Sequence, residues 1–196
     1  PGAAREHGRQ LAQGEFIQYL ASDALLLPGK FTAQVAALST ENINALETAD
    51  VAVLRTNQIA ALTTTQVAEG LTTDQIRALT TAQVALGLRT DQVNALTTDH
   101  VAAFESADIA TLTTRQLVVL STEQIAAITT ENVAALKTSQ IAALTTTQVA
   151  EGLSSDQVVA LTTQQVQQGL TTAQVAALWT PNLGALAPAA SAAMHT

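Results

Sequence analysis

Hydrophobic and polar positions alternate from Thr32 to Leu186 with a period that suits neither a strand nor one continuous helix. The repeating unit reads variable, hydroxyl, variable, amide, aliphatic, small, small, large aliphatic. Examples are TTTQVAEGL (Thr63 to Leu71) and STEQIAAI (Ser121 to Ile128). With the large residue closing each unit as position 8, position 4 falls on Gln34, Asn42, Asp50, Gln58, Gln66, Gln75, Gln83, Gln92, His100, Asp108, Gln116, Gln124, Asn132, Gln140, Gln148, Gln157, Gln165, Gln174 and Asn182. These are units 1 to 19. Of the eighteen steps between them, fourteen span eight residues and four span nine. Position 2 is Thr or Ser throughout, position 5 is Val, Ile or Leu, and position 8 is Leu except at Phe104 and Ile128. Positions 1 and 3 vary freely, from Glu47, Arg55 and Lys137 to Asp74, Arg115 and Pro181. Free variation within one chain marks solvent; a fixed type marks the core or a backbone partner.

A hydroxyl at every unit predicts a helix N-cap at position 2, where the side chain accepts from the free N–H groups of the first turn. Pro181 directly after Thr180 agrees, because proline suits the first helical position. So do the acids recurring at position 3 (Glu41, Asp74, Asp91, Asp99, Glu123, Glu131, Asp156), which the helix dipole favours. Each unit is then a helix of about five or six residues, roughly 8–9 Å long. In the four nine-residue units the extra residue is Gly70, Gly87, Gly152 or Gly169, just before the closing Leu. That is where a left-handed C-cap would fall. The preceding Glu69, Leu86, Glu151 and Gln168 should turn outward. One unbroken helix is disfavoured, since its apolar stripe would drift by about 80° per unit. A β-solenoid is the alternative, set against the abundance of Ala and Gln, which are poor strand formers. The reading is therefore an all-α solenoid of about nineteen very short N-capped helices.

A helix of two turns does not recover its nucleation cost alone, so each unit must lean on its neighbours. Positions 5 and 8 lie three apart on one face and would stack into a continuous aliphatic core. Position 4 is amide, acid or His in every unit. Its side chain is expected to accept a backbone N–H at each corner, across to the next unit, forming a ladder. A polar ligand-binding row is the functional alternative. A second period overlies the first. QIAALTTTQVAEGL occurs at Gln58 to Leu71 and again, unchanged, at Gln140 to Leu153. The same offset carries Gly70 onto Gly152 and Gly87 onto Gly169. The repeat region, residues 31–186, thus holds two tandem ten-unit blocks, the second incomplete. Residues 1–30 lack the unit and predict a helical cap over Gln10 to Leu27 that stops at Pro28 and Gly29. Residues 187–196 read as a flexible tail or a degenerate last repeat. The chain begins at Pro1 without Met and is expected to be processed or a fragment.

Composition narrows the function. Charged residues make up only 12% of the 196 residues, about half the usual share, and the net charge is −8 with eight Lys and Arg. A nucleic-acid surface is excluded on that charge. No uncharged apolar run approaches the roughly 18–20 residues of a membrane span, so no membrane insertion is expected. There is no Cys, which removes disulfides and thiolate chemistry. His7, His100 and His195 lie far apart without metal-ligand spacing, and His100 stands at a ladder position. Asp50 and Asp108 also stand at position 4, where an acid replacing the amide outweighs a catalytic carboxylate pair. No phosphate loop, dinucleotide fingerprint or nucleophile elbow occurs. Phe31, Phe104 and Trp179 are isolated aromatics that read as end-packing residues. No catalytic, cofactor or metal site is assigned, and no enzymatic activity is expected.

LSSDQVVAL (Leu153 to Leu161) resembles the opening helix of a TAL-effector repeat. The remainder of that unit, including its base-reading loop, is missing, and its DNA-binding function is not carried over. The runs of LTTxQVxAL between Thr32 and Leu186 resemble Thr/Gln-rich octapeptide tracts of large secreted or surface proteins of proteobacteria. This resemblance implies an extracellular or cell-surface structural or adhesive role, as a spacer or fibre segment. Its partners would be proteins, including further copies of the same array. The alternative is an intracellular or host-delivered scaffold that binds a protein partner on the solenoid surface. An ice-binding role for the position-1 threonines is weakened by the Arg, Lys and Glu that interrupt the row.

Overall fold

The computed structural model describes residues 30–178, with side chains from Ala33 onward. The cap expected over 1–30, the nineteenth unit and the tail 187–196 lie outside the described residues, Lys30 excepted. Units 1 to 18 each form one helix, from Lys30–Ala36 in unit 1 to Thr172–Leu178 in unit 18. The described residues contain no strand. The repeat is an all-α solenoid.

Each corner is two extended residues. Ile128 (φ −63°, ψ 129°) ends one helix, and Thr129 (φ −66°, ψ 155°) starts the next, Thr130–Ala135. The closing residue also satisfies a carbonyl that the short helix would otherwise leave open: Leu136 N–H donates to Val133 O at 3.2 Å. The N-cap is therefore position 1, not position 2. Ser39, Thr72, Thr97, Thr113, Ser121 and Ser154 each accept from the backbone N–H three residues on. Position 2 is the first helical residue in units such as Thr122–Ala127 and Thr130–Ala135.

The glycines are also chosen for a different reason than a left-handed cap. In units 5, 7, 15 and 17 the last turn widens to a π turn, Gln66–Gly70, Gln83–Gly87, Gln148–Gly152 and Gln165–Gly169. Leu71 N–H accordingly reaches Gln66 O, five residues back, at 3.0 Å. None of the four glycines has a positive φ in the left-handed range. A Cβ on Gly152 would lie 3.0 Å from Cβ and Cγ2 of Ile125. The glycine lets the wider turn approach the helix beneath it. The outward turn before each glycine is present: Glu69, Leu86, Glu151 and Gln168 are exposed.

In the principal helix pairs the partners stand three units apart. Thr122–Ala127 of unit 12 lies between Thr98–Ala103 of unit 9 and Gln148–Gly152 of unit 15. Positions 5 and 8 fill the space enclosed by the coil. Ile59, Val67, Ile76, Val84 and Val93 are fully buried, and the position-8 leucines beside them nearly so. One aliphatic core runs from Val35 to Leu178. Burying a Val, Leu or Ile side chain contributes about 1.5–3 kcal/mol, and here it supplies the stability that no unit has alone.

Candidate functional surface

The fourteen buried polar side chains among the described residues are the fourteen position-4 residues from Gln66 to Gln174. Gln140 shows how each glutamine is used. Its Oε1 accepts from the N–H of Lys137 at 2.7 Å, the first residue of its own unit. Its Nε2 donates to Ile109 O at 3.0 Å and Leu112 O at 2.8 Å, at positions 5 and 8 of the unit four earlier. The same three bonds recur for Gln66, Gln75, Gln83, Gln92, Gln116, Gln124, Gln148, Gln157, Gln165 and Gln174. The ladder is present, but its rungs cross to the unit four back and not to the next unit. Only a neutral amide can accept at one corner and donate twice at another with one side chain. The rung also explains why position 1 varies. Arg55, Arg89 and Lys137 lack a hydroxyl, yet their backbone N–H groups still reach the glutamine oxygen at 2.7–2.8 Å.

Three rungs depart from glutamine. His100 places Nδ1 3.4 Å from Thr97 N and Nε2 2.9 Å from Leu71 O. A backbone N–H can only donate and a carbonyl only accept, so the imidazole is the neutral Nε2–H tautomer, an imitation of the amide. Burial lowers its pKa, with the Leu71 carbonyl and Asp99 acting the other way. Asn132 is one methylene shorter. Its Nδ2 reaches Phe104 O at 2.7 Å, and its Oδ1 accepts from Ser106 Oγ at 2.7 Å instead of closing the corner of its own unit. Asp108 is buried and carries a carboxyl raised to about 6, by burial first and by Glu105 second.

These placements decide the residues singled out by sequence. Asp108 and Asp50 sit on helices with different partners, Ser106–Ile109 on Thr130–Ala135 and Thr48–Val53 on Thr73–Arg77, and Asp50 is exposed. They do not form a pair: Asp50 caps the corner of its own unit at Glu47, and Asp108 is buried at a rung position. Phe104 is in the core. His7, His195 and Trp179 lie outside the described residues, as does the side chain of Phe31. No group of three or more His, Cys, Asp or Glu among the described residues could hold a metal ion. No described helix is long and apolar enough to cross a membrane.

The outer surface is even. The large exposed apolar side chains, Val53, Leu86, Val118 and Val159, stand singly on units 3, 7, 11 and 16. The two ion pairs among the described residues, Arg77–Asp74 and Arg89–Asp91, are each 2.9 Å long and exposed, so they contribute little. A hollow of about 490 Å³ lies where Asn132 replaces glutamine, lined by Arg77, Phe104, Glu105, Ser106, Glu131 and Asn132 among others. The capping half of the ladder has a signal in the sequence that the position-2 reading missed: hydroxyl at position 1 and amide at position 4 have the spacing of a capping box.

Four overlapping stretches, residues 43–81, 69–98, 76–104 and 101–138, match the family model of the ALTTAQ repeat. The matches recur in tandem, and the chain is a repeat protein. No curated protein and no solved structure matches the chain. The motif occurs verbatim at Ala78 to Gln83, where it runs from position 7 of one unit to position 4 of the next. An ALTTAQ string is thus one corner of the coil: closing leucine, N-cap threonine, first helical residue and ladder glutamine. The structure carries the same corner beyond the matched residues, back to Ser39 and on to Gln174.

Proposed function

We propose that the ALTTAQ array is a non-enzymatic spacer, a structural segment of a fibre or adhesive protein at a bacterial surface or in its secreted fraction. The observation that carries this reading is the register of the packing. Gly70 packs on Ile43 and Gly152 on Ile125; Gly87 packs on Ile59 and Gly169 on Ile141. Each pair is the other moved by one whole block, so a copied block meets the same contacts it left. An array of this kind lengthens by duplication without redesign, because stability is a sum over units and their neighbour interfaces. The even surface supports the same reading, since dedicated binding sites concentrate aromatic and Arg anchors in one place. The buried polar groups are spent on backbone carbonyls and N–H groups, which supports a structural role over catalysis.

Deleting Gln58 to Ser139 removes one block and keeps the phase of core, rungs and glycines. The shortened chain should fold cooperatively and be shorter by small-angle scattering, with no change in what it retains from lysate or culture medium. Loss of a stoichiometric protein partner on deletion would replace the spacer by a binding scaffold. Collapse of the shortened chain would refute modular stacking.

A further inference from the structure

One rung of the ladder has the wrong chemistry. The other position-4 residues from Gln66 to Gln174 are Gln, Asn or His, and each carries an N–H toward a carbonyl four units back. Asp108 is 3% exposed and has only oxygens. The rungs on either side set its register. His100 meets Leu71 O of unit 5, and Gln116 meets Val84 O and Leu88 O of unit 7. Unit 10 therefore faces unit 6, with the carbonyls of Ile76 and Leu79. Asn132 shows that a side chain of this length reaches, since its Nδ2 contacts the position-8 carbonyl of the unit four back, that of Phe104. An ionised carboxylate in that place has no proton to offer and sets negative oxygen against carbonyl oxygen. A neutral carboxyl supplies an O–H as the amide supplies an N–H.

We propose that Asp108 is a proton-operated clasp: protonated, its carboxyl donates to the Leu79 carbonyl and closes the rung between units 10 and 6; ionised, the rung opens.

The surroundings favour the proton. Burial raises the carboxyl to about 6, Glu105 adds to the rise, and the Glu105 backbone N–H opposes it. The helix Thr130–Ala135 packed on unit 10 carries Glu131, and unit 6 carries Asp74 and Arg77, which pair with each other in solvent. Arg77, Glu105 and Glu131 line the hollow beside Ser106, two acids to one base. His100, on the preceding rung, is neutral. Because the folded value of about 6 exceeds the ordinary 3.8, the contribution is full below about pH 4 and lost as pH rises through 6. Unit 10 ends the first ten-unit block, Phe31 to Leu112, so the clasp would tighten the last turn of that block in mild acid and loosen it at neutral pH.

Carbon-13 NMR of the full chain tests this at the atom concerned. The Asp108 Cγ shift should titrate near pH 6, and the Leu79 carbonyl shift should move with the same midpoint. Thermal midpoints provide a second readout: the amount by which D108N exceeds the wild type should be small at pH 4 and larger at pH 7.5. Titration of Asp108 at the ordinary aspartate value of about 3.9 would overturn the clasp. So would a Leu79 carbonyl that ignores the Asp108 titration, or a D108N midpoint whose gap from wild type is the same at both pH values.

Discussion

Gln140→Met isolates one rung with little change of shape. Methionine keeps the length and nearly the volume of glutamine and removes its oxygen and both N–H groups. Gln140 is 2% exposed and holds Lys137 N at 2.7 Å, Ile109 O at 3.0 Å and Leu112 O at 2.8 Å. The three groups suffer differently. Ile109 O keeps the Leu112 N–H at 3.2 Å, and Lys137 is exposed, so its N–H can turn to water. The carbonyl of buried Leu112 is left without its donor. An orphaned buried acceptor costs about 1–3 kcal/mol and each other lost bond about 1 kcal/mol, against which methionine's apolar surface returns about 1 kcal/mol. The net loss is about 2–4 kcal/mol, which for a chain of this size lowers the thermal midpoint by about 4–16 °C. Ser139→Ala, at exposed position 3 of the same helix, should stay within about 0.5 kcal/mol of wild type. Circular dichroism melts of the two variants decide the matter. Equal midpoints would show that the ladder bonds carry no net stability and that the core alone holds the coil.

Two further perturbations probe the other specific features. Gly152→Ala places a methyl 3.0 Å from Ile125, which is fully buried, so urea unfolding should show a loss of about 1–3 kcal/mol, while Glu151→Ala one residue earlier should not. An unchanged midpoint for Gly152→Ala would remove close approach as the reason for glycine. His100 is neutral in the ladder and its folded pKa is lowered by burial, so its contribution is present above the ordinary 6.5 and fades as pH falls below it. His100→Gln keeps the rung without the titration and should melt higher than wild type at pH 5 but not at pH 7.5; equal acid sensitivity would refute the assigned tautomer.

The fold class was legible because the repeat presents the same constraint nineteen times. A lone TTTQVAEGL is ambiguous between helix and loop, but its variation across units separates solvent positions from core ones. The position-4 ladder was legible on the same ground, since an exposed position would have drifted as positions 1 and 3 did. The N-cap was misplaced by one residue because position 2 has the more constant hydroxyl. In the folded unit the glutamine at position 4 supplies one half of the capping, and it works on the backbone of position 1 whatever side chain stands there, as Arg55 and Lys137 show. The glycines were located correctly and explained wrongly. A widened turn and a left-handed cap leave the same mark in sequence, one extra Gly before a Leu. The difference lies in Ile125, on the helix three units earlier, which the sequence does not place under Gly152.

What the sequence by itself determined is local and periodic. It set short capped helices, an aliphatic core from positions 5 and 8, a polar row at position 4, and a block of ten units that recurs in tandem. These follow from single-residue chemistry sampled many times along one chain. What only the tertiary structure decided is which unit lies on which. That helices pack three units apart, and that rungs cross four units back, depends on how far the chain rotates at each two-residue corner. Small backbone differences at each corner add up over a turn, and no residue type encodes their sum. The meaning of Asp108 depends on that same sum: in sequence it is an acid in an amide's place, and only the register of the coil buries it between rungs that reach units 5 and 7.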